Sequence, residues 1–348
     1  SYRNDVITGS AGRDAFDGGL GNDAINAGAG DDIVSAYAGA DILDGGAGID
    51  TLSFAFDPMY PTQYGLDAPA SSEPTQRTQN WTWTGVTVSL ANTTAVGPDG
   101  STVTYANFEN LRGTRLADHL TGDANNNVFV TYGGADVVDG AGGVDTISFA
   151  PRYGYGGLYV PGALGYAPSG VTVNLGAGTA NDGPGAVTLL NIENVVRSLG
   201  ADAVTGGANA NNLAGGAGAD TMFGGAGDDV MSGDAGSDAL YGDAGNDQIS
   251  GGDGSDIIVG GVGGDIMLGG AGNDSIFAGD GFNYGYGGDG NDVLVGGKDF
   301  NVLVGENGDD YMYLYNAGGQ AYGGGGNHLS VGENAQDEIV VGGGDEVP

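Results

Sequence analysis

A repeat of nine residues organises most of this 348-residue chain. From Arg197 to Val340 it continues without a change of register, with copies such as GGAGDDVMS and GDAGNDQIS following one another. A typical unit has turn glycines, an Asp in the sixth position and an apolar residue two places later. One unit therefore supplies a tight turn, a short strand and a single inward apolar side chain. Because one such side chain makes no core, many units must stack into a solenoid.

The repeat occurs in three runs that two inserts separate. We predict β-roll runs at residues 1–53, 113–148 and 197–348, the last with a degenerate C-terminal end, and β-rich inserts at residues 54–112 and 149–196. Each insert contains a strand-like alternation of apolar and polar residues and a closing Asn-x-Glu-Asn-aliphatic element. The chain starts and ends inside repeats, so we expect a longer parent or contacts between the ends of subunits.

The predicted fold class is all-β, a parallel β-roll (β-solenoid) in which two units make one coil. Successive coils lie about 4.8 Å apart, so Asp residues 18 apart in sequence become neighbours. Two bare carboxylates at ~5 Å would repel by roughly 3 kcal/mol at an effective dielectric of 20. A hard divalent cation that takes six to eight oxygens from carboxylates and turn carbonyls would neutralise them. These requirements fit calcium better than zinc or magnesium.

Composition excludes several classes of protein. The 8 Lys and Arg stand against 45 Asp and Glu, a net charge of −37, which makes nucleic acid and anionic membranes poor partners. Cysteine is absent, so disulfides and thiolate metal sites are excluded. No apolar run approaches the roughly 18 residues of a membrane span.

The units match the pattern G-G-x-G-x-D-x-U-x, and the chain resembles the RTX (repeats-in-toxin, hemolysin-type calcium-binding) family. This resemblance implies a parallel β-roll with calcium held between turns by the sixth-position Asp and main-chain carbonyls. It also implies export by type I secretion and folding outside the cell. The inserts look like segments found in bacterial surface proteins and adhesins that carry these repeats.

The predicted calcium ligands are the sixth-position aspartates of the three runs. They are Asp5, Asp14, Asp23, Asp32, Asp41, Asp50, Asp118, Asp136, Asp145, Asp202, Asp220, Asp229, Asp238, Asp247, Asp256, Asp265, Asp274, Asp292 and Asp310. Neighbouring pairs on the same edge give about 13 calcium sites. Their charge of +26 would leave the chain at −11. We therefore expect a loosened or unfolded chain without calcium and a folded chain with it.

Some units carry another residue in the sixth position. Asn283 and Asn301, which follow Phe282 and Phe300, are predicted to form a side-chain ladder in place of calcium. His328 replaces Asp near the end of the third run. The closing elements of the inserts carry Glu at matching positions, which favours a structural role such as capping turn amides or adding a calcium ligand. These residues are Glu109 and Glu193.

The apolar residues suggest a core stripe and contact surfaces. Ile257, Ile266 and the neighbourhood of Leu294 are predicted to point inward. The segment from Tyr311 to Tyr315 is predicted to be apolar on both faces, which suits a packing surface between chains or a cap on the roll. Aromatic residues on the insert loops could bind sugars or partner subunits, or cover the end of the core. They are Trp81, Trp83, Tyr153, Tyr155, Tyr159 and Tyr166.

We expect no enzymatic activity. His119 and His328 are the only histidines, and neither HExxH nor Gly-x-Ser-x-Gly occurs. A pair of catalytic carboxylates stays open, although the predicted calcium ladder accounts for most acidic residues.

The predicted function is that of a secreted calcium-binding structural protein of the bacterial cell surface. It would be a surface-layer, filament or adhesin segment that folds and assembles on calcium binding, with self-association or a cell-surface or polysaccharide partner. The alternative is an accessory calcium-binding and secretion module of a type I secreted enzyme, such as a protease, lipase or polysaccharide epimerase.

Overall fold

The computed structural model describes residues 3–55, 84–149, 170–181, 185–315, 318–333 and 336–340. Within these ranges every regular element is a β-strand, in agreement with the predicted all-β class. The chain divides into two compact units, Ser1–Ala167 with Asn181–Ile192, and Pro168–Ala180 with Glu193–Pro348. The aromatic loop residues singled out above, Trp81, Trp83, Tyr153, Tyr155, Tyr159 and Tyr166, lie outside the described residues.

The described residues up to 149 form fourteen short strands. They are β1 (Val6–Thr8), β2 (Ala15–Asp17), β3 (Ala24–Asn26), β4 (Ile33–Ser35), β5 (Ile42–Asp44), β6 (Thr51–Ser53), β7 (Thr87–Ser89), β8 (Thr94–Val96), β9 (Thr102–Ala106), β10 (Asn110–Arg112), β11 (His119–Thr121), β12 (Val128–Val130), β13 (Val137–Asp139) and β14 (Thr146–Ser148).

The described residues from 170 onward form the remaining strands. They are β15 (Thr172–Asn174), β16 (Thr179–Asn181), β17 (Ala186–Leu190), β18 (Asn194–Ser198), β19 (Ala203–Thr205), β20 (Asn212–Ala217), β21 (Thr221–Phe223), β22 (Val230–Ala235), β23 (Ala239–Ala244), β24 (Gln248–Asp253), β25 (Ile257–Val262), β26 (Ile266–Ala271), β27 (Ser275–Asp280), β28 (Asn283–Asp289), β29 (Val293–Val295), β30 (Asn301–Asn307), β31 (Tyr311–Leu314), β32 (Gln320–Gly325), β33 (Leu329–Gly332) and β34 (Glu338–Val340).

Strands of the repeat runs pair in parallel with the strand of the next coil. In the first unit β1, β3 and β5 form part of one sheet, and β2, β4 and β6 form part of the other. In the second unit one sheet runs from β19 to β33 through the odd-numbered strands, and the other runs from β18 to β34 through the even-numbered strands. Paired residues lie 18 apart, as Ile258 and Ile276 do, so two nonapeptides make one coil. The predicted parallel β-roll is confirmed.

The strands of the inserts continue these sheets. In the first unit β9 pairs in parallel with β5, β10 pairs with both β6 and β12, and β7 pairs with β11. Strand β8 pairs antiparallel with β7 and β9. Strand β17 of the second insert pairs with β13 in the same unit, whereas β15 and β18 pair with β19 and β20 in the second unit. The inserts therefore supply coils of the roll in addition to their loops.

The core is a stripe of side chains that lie two places after each sixth-position residue. Ile258, Met267 and Leu294 have no exposed surface. The prediction that Ile257 and Ile266 point inward is wrong, because they are 45% and 43% exposed. Since the sixth-position Asp is itself buried, the alternation along the strand turns the seventh residue outward and the eighth inward.

Candidate metal centre

A ladder of carboxylates runs along the turns of the roll. We call the sixth position of each unit the slot. The main-chain N of Asp220 donates to Oδ1 of Asp238 at 2.7 Å, and the N of Asp238 donates to Oδ1 of Asp256 at 2.8 Å. The same bond joins slots 18 residues apart from Asp5 to Asp50 and from Asp202 to Asp310. One carboxylate oxygen of each slot is thus used to hold the neighbouring coil.

The other carboxylate oxygen, Oδ2, is buried and accepts no hydrogen bond at many slots of the described chain. These slots are Asp23, Asp32, Asp50, Asp220, Asp229, Asp238, Asp247, Asp256, Asp265, Asp274 and Asp292. Burying an anionic oxygen without a partner is strongly unfavourable. A row of such oxygens therefore requires protons or cations for the fold to be stable.

All of these oxygens except that of Asp32, whose unit begins with Ala27, face a small space beside the first glycine of their own unit. A Cβ on Gly233 would collide with Oδ2 of Asp238 and would lie 2.6 Å from the main-chain O of Gly251. The same two kinds of oxygen surround Gly242, with Oδ2 of Asp247. A carboxylate oxygen of one coil and a carbonyl oxygen of the next therefore line one space. Such an all-oxygen set fits a hard cation such as calcium.

The arrangement differs from a metal centre built by side chains alone. Across the described ranges, no three or more His, Cys, Asp or Glu side chains gather as a group that could hold an ion. A calcium ion in the ladder would thus take carboxylates from successive coils and complete its shell with main-chain carbonyls. The geometry brings the predicted aspartates together in this way, and their role as calcium ligands stays a prediction.

Burial raises the pKa of many slot carboxyls when no cation is bound. Desolvation raises the pKa to about 6 for four of them and to about 7 for two, and nearby carboxylates contribute in the same direction. Those at about 6 are Asp220, Asp229, Asp274 and Asp292, and those at about 7 are Asp41 and Asp247. Protons and cations therefore compete for the same oxygens near neutral pH.

At three slots the Asp carboxylate accepts a hydrogen bond from the hydroxyl group of the residue four positions earlier. The main-chain N and the hydroxyl of Ser10 donate to Oδ2 of Asp14 at 2.7 and 2.8 Å, and these two bonds lower the pKa of that carboxyl. At Asp118 and Asp202 the hydroxyls of Thr114 and Ser198 donate to Oδ1, and the main-chain N atoms of the same two residues donate to Oδ2. These slots begin the ladders on their edges in the described chain. The sequence signal is Ser or Thr where the repeat has its second glycine.

Asparagine slots hold their neighbours without a carboxylate. Nδ2 of Asn283 donates to Oδ1 of Asn301 at 3.0 Å and to the main-chain O of Gly281. The rings of Phe282 and Phe300 stack beside them, with centroids 5.3 Å apart. The predicted side-chain ladder is confirmed, and its replacement of calcium stays a prediction.

The two histidines lie in different settings. His119 is exposed, as expected from its place next to a slot. His328 occupies a slot and is buried, with its Nδ1 at 3.2 Å from Oδ2 of Asp310. The histidine thus contacts the last aspartate of this edge in the position that an Asp takes elsewhere.

A second ladder, which sequence reasoning missed, uses the residue before each slot. The main-chain N of Asn291 donates to Oδ1 of Asn273, and the N of Asp309 donates to Oδ1 of Asn291, both at 2.8 Å. In this ladder each main-chain N donates to a side chain of the earlier coil, whereas in the slot ladder each main-chain N donates to a side chain of the later coil. The sequence signal is the frequent Asn, Asp or Ser immediately before the slot.

These features define a class: a parallel β-roll whose turns carry rows of buried carboxylate and carbonyl oxygens. A family model described as the RTX calcium-binding nonapeptide repeat matches residues 1–25, 17–52, 112–147, 198–231, 205–240, 232–267, 259–281 and 286–315. These matches span more than half of the chain, and the chain belongs to this family. The comparison with curated proteins gave no match.

Proposed function

We propose that this chain is a secreted structural protein of the bacterial cell surface that folds and assembles when it binds calcium. The repeated buried Oδ2 atoms of the slot aspartates carry this proposal, since they lie inside the fold and need a positive partner. Binding of calcium between coils would then supply folding free energy directly. RTX repeats bind calcium as a family, which supports the choice of ion.

Secretion fits the same chemistry. Proteins with RTX repeats are typically exported by type I systems, and extracellular calcium-binding modules work at about 10⁻⁴ to 10⁻³ M calcium. We infer that the chain folds outside the cell, where calcium at this level is present. In the described part of the chain, no helix is long and apolar enough to cross a membrane.

The outer face of one sheet in the second unit supports assembly with further copies. The first and third residues of strands β21 to β33 include no charged side chain, although the protein has a net charge of −37. Ile257, Phe277 and Leu329 on this face are 45%, 41% and 43% exposed. A charge-free apolar face is where two copies of so acidic a chain would meet with least repulsion.

The size of this face indicates how strong such a contact would be. Seven strands at ~4.8 Å and three residues at ~3.3 Å give a footprint of roughly 330 Å². This is less than the ~800 Å² that each partner contributes to a standard stable interface. One such contact would be weak, and repeated contacts in a filament or lattice would add up.

Negative-stain microscopy of the purified chain tests this proposal. At about millimolar calcium we expect filaments or lattices that disappear after chelation. The variants Ile257→Lys and Phe277→Lys should abolish assembly while leaving the calcium-dependent circular dichroism unchanged, because both side chains point outward. The matched control is Gln248→Lys, an exposed residue of the other sheet, which should assemble normally.

The alternative is an accessory module of a type I secreted enzyme. Isolated particles that unfold on chelation, with no filament or lattice at any calcium concentration, would favour this alternative and contradict assembly. In either case we propose that the chain itself is not an enzyme. The location of His119 on the surface and of His328 in the ladder supports this view.

A further inference from the structure

Glu109 belongs to the first insert and lies outside the matched nonapeptides, yet it continues the slot ladder. The main-chain N of Asp50 donates to Oε2 of Glu109 at 2.7 Å, as the N of Asp32 donates to Oδ1 of Asp50 at 2.7 Å. The Glu109 and Asn110 main-chain N atoms both donate to the O of Asp50. The closing element of the insert therefore takes the place of a repeat unit on the coil after Asp50.

One carboxylate oxygen of Asp50, Oδ2, is available to bind a further partner. Asp50 is completely buried, and its Oδ2 accepts no hydrogen bond within the described residues. A Cβ on Gly45 would lie 2.9 Å from this oxygen and would collide with the main-chain O of Asn107. Next to the regular slot Asp238, the carbonyl in this position comes from a glycine of the next coil.

The backbone at Asn107 is shaped to place that carbonyl. Asn107 has φ of 58°, in the left-handed region that non-glycine residues seldom adopt. Its Nδ2 donates to Oδ1 of Asp44 at 2.7 Å, which holds the residue against the coil of the first run. Carboxylate and carbonyl oxygens thus converge between Asp50 and Glu109 as they do between two repeat units.

The next coil on this edge has an asparagine, and no carboxylate, in its slot. Asn127, which is 1% exposed, lies 18 residues after Glu109, and its Nδ2 donates to the main-chain O of Glu109 at 2.8 Å. The amide nitrogen thus approaches a main-chain oxygen of the kind that a cation would bind. The row of carboxylates on this edge is therefore interrupted after Glu109 and resumes at Asp145, which accepts the main-chain N of Asn127.

We propose that Asp50 and Glu109, together with the main-chain O of Asn107, hold a calcium ion outside the nonapeptide pattern, and that the amide of Asn127 interrupts the calcium row there. This inference rests on the proposed calcium-binding function. The ion would join the last coil of the first run to the closing element of the insert, which the family repeat does not encode.

Native mass spectrometry of the full chain in calcium tests the site by counting bound ions. Glu109→Gln keeps an oxygen that accepts the bond from Asp50 and removes the charge, so we expect one ion fewer than in the unsubstituted chain. Asn127→Asp restores a slot carboxylate, so we expect at least one ion more. Glu338→Gln, at an exposed strand residue, is the control and should leave the number unchanged.

An unchanged number for Glu109→Gln would show that Glu109 only caps the amide of Asp50 and would overturn the inference. If that variant fails to fold, Asn127→Asp decides, because no gain of an ion contradicts the role of its amide. A chain that binds no calcium in its unsubstituted form would instead refute the proposed function. The two failures are therefore distinguishable.

Discussion

At the scale of single residues, the two oxygens of a slot carboxylate have separate tasks. Oδ1 of Asp247 accepts the main-chain N of Asp229, while its buried Oδ2 is open toward the space beside Gly242. An Asn in this position could accept the bond from the main-chain N, but it would place an uncharged group beside the space that Oδ2 of Asp faces. Replacing Asp by Asn at a slot therefore separates the contribution of the side chain to the fold from its contribution to cation binding.

Asp247→Asn tests this separation. Because Asp247 lies between Asp229 and Asp265, we expect the calcium-loaded chain to lose about 2–3 kcal/mol of unfolding free energy. Denaturant unfolding in saturating calcium measures the change. Asp228→Asn is the control, since an Asn there still accepts the bond from Asn246, and its effect should stay within about 0.5 kcal/mol. Equal effects of the two substitutions would contradict the assignment.

Glycine is required at some turn positions and replaceable at others. Gly254 has φ of 143°, and a Cβ there would collide with the main-chain O of Gly236 in the preceding coil. We expect Gly254→Ala to destabilise the calcium-loaded chain by more than about 2 kcal/mol. Gly207 has no atom closer than 3.8 Å to its Cβ position, so Gly207→Ala should be tolerated. Thermal unfolding in calcium compares the two, and equal melting temperatures would argue against close stacking at Gly254.

At the scale of the elements, the burial of slot carboxyls along the turns makes the stability of the fold depend on pH. Burial raises the pKa of Asp41 and Asp247 to about 7, above the value of about 3.9 in an unfolded chain. The folded chain therefore binds more protons than the unfolded chain between these values. The contribution of proton binding to the unfolding free energy is therefore fully present below about pH 4 and is lost as the pH rises through 6 to 7.

In the presence of chelator, we therefore expect more folded chain at pH 4.5 than at pH 7.5. Far-ultraviolet circular dichroism across this range measures it, with a calcium-saturated sample at each pH as the reference for the folded signal. Calcium binding near pH 6.5 should also release protons into a weakly buffered solution. A chelated chain that is equally folded at both pH values would contradict the buried, cation-free carboxylates.

At the scale of the whole molecule, charge decides whether the chain can be compact. A net charge of −37 opposes compaction, and the roughly thirteen calcium ions expected from neighbouring slots would lower it to −11. In chelator at pH 7.5 the radius of gyration should approach the ~67 Å of an unfolded chain of this length. Small-angle X-ray scattering should show a fall to less than half of that value in calcium, and magnesium at equal ionic strength is the control. Compaction by magnesium alone would count against calcium specificity.

The sequence alone determines the stack of coils. A nine-residue period with Asp and an apolar residue two places apart fixes parallel pairing at 18 residues, the buried stripe through Ile258 and Leu294, and the rows of slot aspartates. These features follow from local geometry, because each unit repeats the same turn and the same strand. They could therefore be predicted without knowing any contact between distant residues.

Other features depend on contacts that no local period encodes. Glu109 reaches Asp50 over 59 residues, and the strands of the insert enter the same sheets as the run before it. The outward position of Ile257 follows from the phase of the strand relative to the buried slot, since Ile257 and Ile258 are equally apolar in the sequence. The tertiary structure alone decided these points, because they depend on where the chain returns after a loop and on which face of a short strand meets the core.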